Sequence, residues 1–185
     1  MHYFWADTHF NHGNIIKYST RPYRDAKEMN RELQAKWNSA VLKENDEVWF
    51  LGDFGFHGAG GDDLGEIFWK LRGKKHLVVG NHDEKNPQTL RLPWESVEKL
   101  YTFKQGGLRA ELCHYPLETW KGSWRGTLML HGHCHGTLKR KLPKRFDVGV
   151  DCFPTPVSWD KLVALAAKEE FLPVDGHGLA EGGLF

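Results

Sequence analysis

Five times in this chain a short apolar run ends directly in residues that ligate metals, and this recurrence constrains the fold more than any single stretch. Tyr3 to Ala6 leads into Asp7-Thr8-His9, and Glu47 to Leu51 into Gly52-Asp53. His76 to Val79 leads into Gly80-Asn81-His82-Asp83, and Leu108 to Cys113 into His114-Tyr115-Pro116. Thr127 to Leu130 leads into His131-Gly132-His133-Cys134-His135-Gly136. Runs of this length and apolarity fit strands buried on both faces. In open α/β sheets the loops beyond the carboxyl ends of such strands converge on ligands. The expectation is an α/β protein whose strand ends share one site.

The intervening segments agree. Met29, Leu33, Trp37 and Val41 recur every four residues between charged and polar ones, which predicts a helix over Ala26 to Val41 with one buried face. Asp62 or Asp63 can cap a helix carrying Leu64, Ile67, Phe68 and Leu71, with Gly73 as its stop, after a loop from Phe54 to Gly61. The second half reads as strands over Glu98 to Lys104, Leu108 to Cys113, Thr127 to Leu130 and Arg145 to Val150, with antiparallel pairing expected. A last helix starts at Ser158 as N-cap and buries Trp159, Leu162, Leu165 and Ala166. At 185 residues the chain has room for one domain, expected over 1–174, followed by a glycine-rich, mobile tail over 175–185.

Composition excludes several classes. Twenty-five Lys and Arg against 24 Asp and Glu leave a formal charge of +1, so no overall pull toward nucleic acid or membrane follows. No apolar stretch approaches the roughly 18 residues of a membrane span, and the first residues lack a signal-peptide pattern, so a cytoplasmic location is expected. Cys113, Cys134 and Cys152 lack Cys-x-x-Cys spacing and are read as reduced, small apolar residues.

The ligand types select the chemistry. In Asp7-x-His9 and His133-x-His135 the alternation of an extended segment would put both side chains on one side. Imidazoles mixed with carboxylates and an amide, without thiolates, suit a pair of transition-metal ions better than a structural zinc. Glycines beside Asp53, Asn81, His133 and His135 allow tight turns or close backbone approach.

The ordered set Asp-x-His, Gly-Asp, Gly-Asn-His-Asp, His and Gly-His-x-His, found here as Asp7/His9, Gly52-Asp53, Gly80 to Asp83, His114 and Gly132 to His135, resembles the calcineurin-like metallophosphoesterases. The resemblance runs from the start of the chain to about Asp151. The run from Asp7 to Ile16, followed by Arg21-Pro22, is similar to a small single-domain bacterial or phage subgroup. It implies a two-sheet sandwich of mixed β-sheets flanked by helices. It also implies two divalent metal ions, manganese first, with iron, zinc, nickel or cobalt as alternatives. One would be held by Asp7, His9, Asp53 and His135, the other by Asp53, Asn81, His114 and His133, with Asp53 bridging. The implied activity is hydrolysis of a phosphodiester or phosphomonoester by metal-bridging hydroxide, with His82 protonating the leaving group.

The pattern departs at Phe56, where many such proteins carry an acid that orients the catalytic histidine; Asp83 is the expected substitute, ahead of a backbone carbonyl or His57. His12 resembles a subgroup residue that donates to substrate phosphate, with a plain loop histidine as the alternative. Arg21 is read as a phosphate-binding or a structural cation. The loop Thr119 to Arg125 offers two indoles and two cations that suit a base beside a phosphate, or edge packing. Together with the lack of an obvious cap, it favours a nucleotide-derived phosphodiester as substrate. The run Lys139 to Arg145 is a basic hairpin tip or an anion attractor. No membrane and no stable protein partner is expected.

Two other classes compete. A catalytically inactive protein-binding scaffold of the same fold would lack ligands or the acid histidine, and all are present. A metallo-β-lactamase-like hydrolase needs Asp where position 135 is His.

Overall fold

The computed structural model describes residues 1–57 and 61–169. In chain order these form β1 (His2–Trp5), α1 (Gly13–Tyr18), α2 (Ala26–Ala40), β2 (Glu47–Phe50), α3 (Leu64–Lys70), β3 (Lys74–Val78), α4 (Asn81–Glu84), α5 (Pro87–Leu90), β4 (Ser96–Glu98), β5 (Leu100–Gln105), β6 (Leu108–Cys113), β7 (Leu128–His131), β8 (Arg145–Asp147), β9 (Val157–Ser158) and α6 (Trp159–Ala166). The strands make two mixed sheets, ordered β4-β3-β2-β1-β9 and β5-β6-β7-β8, flanked by helices as expected.

Alternation explains why the first-sheet strands are apolar throughout. Tyr3, Trp5, Val48, Phe50 and Leu77 face Met29, Leu33, Trp37 and Phe68 of α2 and α3. Their neighbours Phe4, Trp49, Leu51 and Val78 face Phe103, Ala110, Leu112 and Leu130 of the second sheet, forming the sandwich interior with Trp159 and Leu162 of α6. Both faces exclude water, so neither can be polar. Asp25, Asp63 and Ser158 cap α2, α3 and α6 through their side-chain oxygens, which removes one unpaired donor at each helix start.

Several expectations change. Only β5 and β6 pair antiparallel in the second sheet; β6, β7 and β8 run parallel, because their connections cross over instead of turning as hairpins. Helix α3 is capped at Leu71, and Gly73 forms a left-handed turn (φ +86°) beyond it, so close to the Asp46 carbonyl that a Cβ would clash at 2.8 Å. Leu165 is only half-buried, while Val163 packs against the interior. The short elements α1, α4, α5, β4 and β9 lacked a periodicity long enough to read. The expected mobile tail over 175–185 lies outside the described residues. All three cysteines are free. No helix among the described residues is long and apolar enough to cross a membrane.

One buried cation holds the α3–β3 corner. Lys75, 8% exposed, donates from Nζ to the carbonyls of Leu71 and Gly73, each at 2.8 Å, and lies 4.6 Å from the Phe68 ring centroid. Burial lowers its pKa from 10.5 to about 8 against the opposing pull of Glu44 and Glu95. Between those two values the folded protein holds fewer protons than the unfolded chain, so this group makes stability rise with pH across that window. The slope approaches ~1.4 kcal/mol per pH unit. Urea unfolding from pH 7.5 to 9.5 is expected to show this gain in the wild type and its loss in Lys75→Met; parallel profiles would refute it.

Candidate metal centre

All the parallel strands adjoining the site end on the same side, and the site lies where the two sheets meet there. Asp7 and His9 follow β1, Asp53 follows β2, Asn81 and His82 open α4 just after β3, His114 follows β6, and His133 and His135 follow β7. A bridge between Ala6 and Gly149 brings the sheets together beside them. The seven expected ligands therefore converge although they are spread over 129 positions of the chain.

Their local conformation differs from the extended geometry expected. Asp7, His9, Asp53, His133 and His135 all have positive φ, from 48° to 69°. Asp and His enter this left-handed region more readily than most residues, though each does so at a cost of order 1 kcal/mol or more. The bends turn these side chains across the strand ends, so convergence comes from backbone reversal and not from alternation.

Asp53 is the hub. Its Oδ2 lies 3.5 Å from His114 Nε2, 3.7 Å from His9 Nε2 and 3.9 Å from His82 Nε2, and its Oδ1 accepts the His82 backbone N–H at 2.9 Å. Asn81 Oδ1 is 3.0 Å from both His114 Nε2 and His133 Nδ1. Asp7 accepts the His133 backbone N–H at 3.0 Å. Three overlapping groups could hold metal ions: Asp7, His9 and His135; Asp53, His114 and His133; and His9, Asp53 and His82. Glycine is required for this approach: a Cβ on Gly80 would stand 2.3 Å from Asp53 Oδ1, and one on Gly52 (φ +91°) 2.4 Å from His114 Nδ1.

Whether the residues suit a metal is answered by His9. It is 1% exposed, and neither ring nitrogen has a hydrogen-bond partner. A buried imidazole without a partner is costly unless something coordinates it. Burial holds its pKa well below the usual histidine value, which is the neutral form a metal needs. Burial also raises Asp7 to about 7, more than His114 and His135 lower it. At Asp53 burial pulls upward too, but the hydrogen bond and charge of His114 outweigh it and hold the carboxyl at about 2. His114 is driven up to about 9 despite its burial, by Asp53 and Asp7. Two carboxylates, an amide oxygen and four imidazoles in one buried cleft are a donor set for divalent cations, which would bind in place of the protons that Asp7 and His114 otherwise hold.

Supporting contacts orient the rings. His114 Nδ1 bonds the Leu51 carbonyl at 2.8 Å, leaving Nε2 toward Asp53. His135 Nδ1 meets Asp151 Oδ2 at 2.7 Å, and Asp151 in turn accepts two bonds from Arg21. Asp151 was not among the expected site residues; a carboxylate soon after a short strand was the only signal of it.

Two expected roles need correction. Asp83 does not touch the His82 ring; fully buried, it accepts the backbone N–H groups of Asp53, Phe54 and Gly80 at 2.7, 3.0 and 2.9 Å. Adjacent residues in a helical turn point apart, so Asp83 holds the Asp53 loop instead of orienting its neighbour. Arg21 is not presented to a substrate. It is 6% exposed and spends its donors on Asp151, the carbonyls of Asp7 and Thr8, and Met29 Sδ. Besides Asp53, the His82 ring meets Phe56 and His9, with ring centroids 5.1 and 5.2 Å apart, while His57 is exposed. His12 does lie beside the cluster, half-buried, its ring 5.5 Å from His9 and 6.2 Å from His82.

The Thr119 to Arg125 loop is also displaced from the role expected of it. Because β6 and β7 are parallel, the chain leaving His114 must return to the opposite end of the sheet before β7 begins. Trp120 is buried there, donating to the Thr127 carbonyl at 2.8 Å, and Trp124 is exposed away from the cluster. An open groove of about 580 Å3 does adjoin the cluster, between Ile15, Tyr18 and Thr20 on one side and His133, His135 and Thr137 on the other.

The sequence matches no protein-family model. Structurally, the chain is similar to the protein of unknown function AQ665 from Aquifex aeolicus, with a TM-score of 0.73 and 26% identity over 89% of this chain and 98% of that one. It shares its fold with Yfce, a phosphoesterase from E. coli, at a TM-score of 0.50 and 14% identity over 80% of this chain and 77% of that one. In sequence it is 26% identical to the gene 66 protein of Mycobacterium phage D29, over 86% of this chain and 92% of that protein. With 32% identity over 173 residues, 90% of this chain and 91% of its relative, the chain belongs to the family of the uncharacterized protein MJ1445 of Methanocaldococcus jannaschii.

Proposed function

We propose that this protein is a dinuclear metal-dependent phosphoesterase. The observation that carries the reading is the convergence of four strand-end loops on Asp53, itself at the end of a fifth strand, with both ring nitrogens of buried His9 left without a hydrogen-bond partner. One ion would be held by Asp7, His9, Asp53 and His135, the other by Asp53, Asn81, His114 and His133, with manganese the first candidate. Two divalent ions held there supply charge that clamps phosphate oxygens and activates water for in-line attack at phosphorus.

The chain's own residues do the rest. Asp53 faces both ligand groups from one rigid loop, anchored by Asp83. His82 stands at the open side of the cluster with its side chain 36% exposed, where it can reach a substrate oxygen. As the new P–O bond forms and the bond to the leaving group breaks, His82 gives its proton to the departing alkoxide. His12, on the same side, is placed to donate to a phosphate oxygen. The groove beside His133 and His135 is open enough for a second ester arm, which supports a phosphodiester as the preferred substrate.

Manganese-loaded protein assayed on generic phosphomonoesters and phosphodiesters tests the reading; activity on monoesters alone would refute the diester preference, and inactivity with every divalent ion would refute the enzyme. His82→Ala is expected to lower kcat by roughly 100-fold while metal content by mass spectrometry stays unchanged. Loss of metal in that variant would make His82 a ligand instead.

A further inference from the structure

The second sheet has an outer face that the phosphoesterase reading does not use. Phe103, Ala110, Leu112 and Leu130 turn into the sandwich, so alternation sends Thr102, Arg109 and Glu111 to the other side. The crossover from β6 to β7 passes over that face, tied down by Trp120. Between them lies a cavity of about 450 Å3, lined by Arg109, Glu111, Lys121, Trp124, Arg125 and Thr127 among others. That volume is within the range of small-molecule sites.

Its floor holds an incompletely satisfied carboxylate. Glu111 is 3% exposed, and the hydrogen bonds its side chain receives come from one group, the Thr102 hydroxyl, 2.9 and 3.1 Å from its two oxygens. A hydroxyl has a single proton, so most of the carboxylate's acceptor capacity is unfilled. No ion pair to Glu111 is formed among the described residues, although Arg109, Lys121 and Arg125 line the same cavity. Burying a carboxylate this way is costly unless donors reach it. Trp124 is 39% exposed, and the Arg125 guanidinium lies 4.0 Å from its ring centroid, a planar surface on which an aromatic ring can stack.

We propose that this cavity is a second ligand site, distinct from the His/Asp cluster, that binds a guanine nucleotide. Guanine presents adjacent ring and exocyclic N–H donors on one edge, matching the two oxygens of Glu111. Adenine puts a ring acceptor there, against a carboxylate that can only accept. The Trp124–Arg125 surface stacks on the base, and Arg109 and Lys121 take the phosphate. Glu111 and Arg109 precede His114 by three and five residues on β6, so at ~3.3 Å per residue they lie roughly 10–17 Å from that ligand.

Calorimetry on the full-length, metal-stripped protein with GMP, AMP and inorganic phosphate tests this without relying on phosphoesterase activity. One GMP per chain is expected, bound at least about tenfold more tightly than AMP or phosphate, since AMP would leave the buried carboxylate facing a ring acceptor. Glu111→Gln is expected to erase the preference for GMP over AMP, and Trp124→Ala to weaken both. If Glu111→Gln fails to fold, the exposed variants Arg109→Ala and Lys121→Ala serve in its place, each weakening GMP several-fold. Asp53→Asn is expected to leave GMP affinity unchanged. Absence of GMP binding, equal affinity for AMP, unaltered selectivity in folded Glu111→Gln, unaltered GMP affinity in the two exposed variants, or loss of binding in Asp53→Asn would overturn the proposal.

Discussion

Asp53→Asn is expected to leave the protein folded, bind fewer than two metal ions per chain, and lower phosphoesterase turnover by at least about 1,000-fold, equivalent to ~4 kcal/mol of barrier. The substitution keeps size and shape, so the loop can stay in place. The backbone N–H of Asp53 is bonded to Asp83, and Asn retains an oxygen for the His82 backbone N–H. What disappears is the negative charge between His9, His82 and His114, all within 3.9 Å of Oδ2. That carboxyl is held at about 2, so it stays ionised near neutral pH, and among the described residues no other acidic side chain belongs to two of the candidate metal-holding groups. Metal content by mass spectrometry, circular dichroism and a steady-state assay check the three parts. Two bound ions with near wild-type turnover in the variant would sink the assignment of Asp53 as the bridging ligand.

Arg21→Met has the largest effect expected on stability, about 3–5 kcal/mol. A buried guanidinium bonded to a carboxylate and two carbonyls cannot be lost without stranding all of them. Asp151 would keep only His135, and the Asp7 and Thr8 carbonyls would lose their donors at 2.7 and 2.9 Å. For a chain of this size the loss corresponds to a fall in Tm of roughly 10–15 °C. Arg21→Lys keeps the charge but not the planar fork and is expected to recover less than half of it. Thermal unfolding of the metal-free proteins checks this; a Tm within 2 °C of wild type for Arg21→Met would show that the network is dispensable.

These two positions differ in how legible they were. Asp53 stands after an apolar run and a glycine, in an ordered series of similar endings, so its place at a strand terminus could be read directly. Arg21 looked equally fit for a phosphate or for a structural contact. Only the burial of its side chain and the nearness of Asp151, 130 positions away, decide for the structural role. Asp83 is the same kind of case. Adjacency to His82 suggested a shared task, but the helical turn at Asn81–Glu84 sends the two side chains apart, and three backbone N–H groups claim the carboxylate. The Trp120 and Trp124 loop follows His114 closely in sequence and is remote from the cluster in space, because parallel pairing of β6 and β7 forces the connection back across the sheet.

Composition and pattern were sufficient for the α/β class, the apolar strands, the helix α2 and the capped helices α3 and α6, and, with the family resemblance, for the seven side chains expected to meet. Those features depend on local chemistry: hydrophobic periodicity, cap residues, and ligand types at run ends. The tertiary structure decided what local chemistry does not encode. It set which strands run parallel, it bent Asp7, His9, Asp53, His133 and His135 into left-handed conformations, and it separated the candidate ligands from the residues that hold them in place. The physical reason is that a side chain's role depends on which donors, acceptors and charges surround it once water is excluded. For Arg21, Asp83, Asp151 and Glu111 those partners are assembled only when the two sheets, their crossovers and the helices pack together.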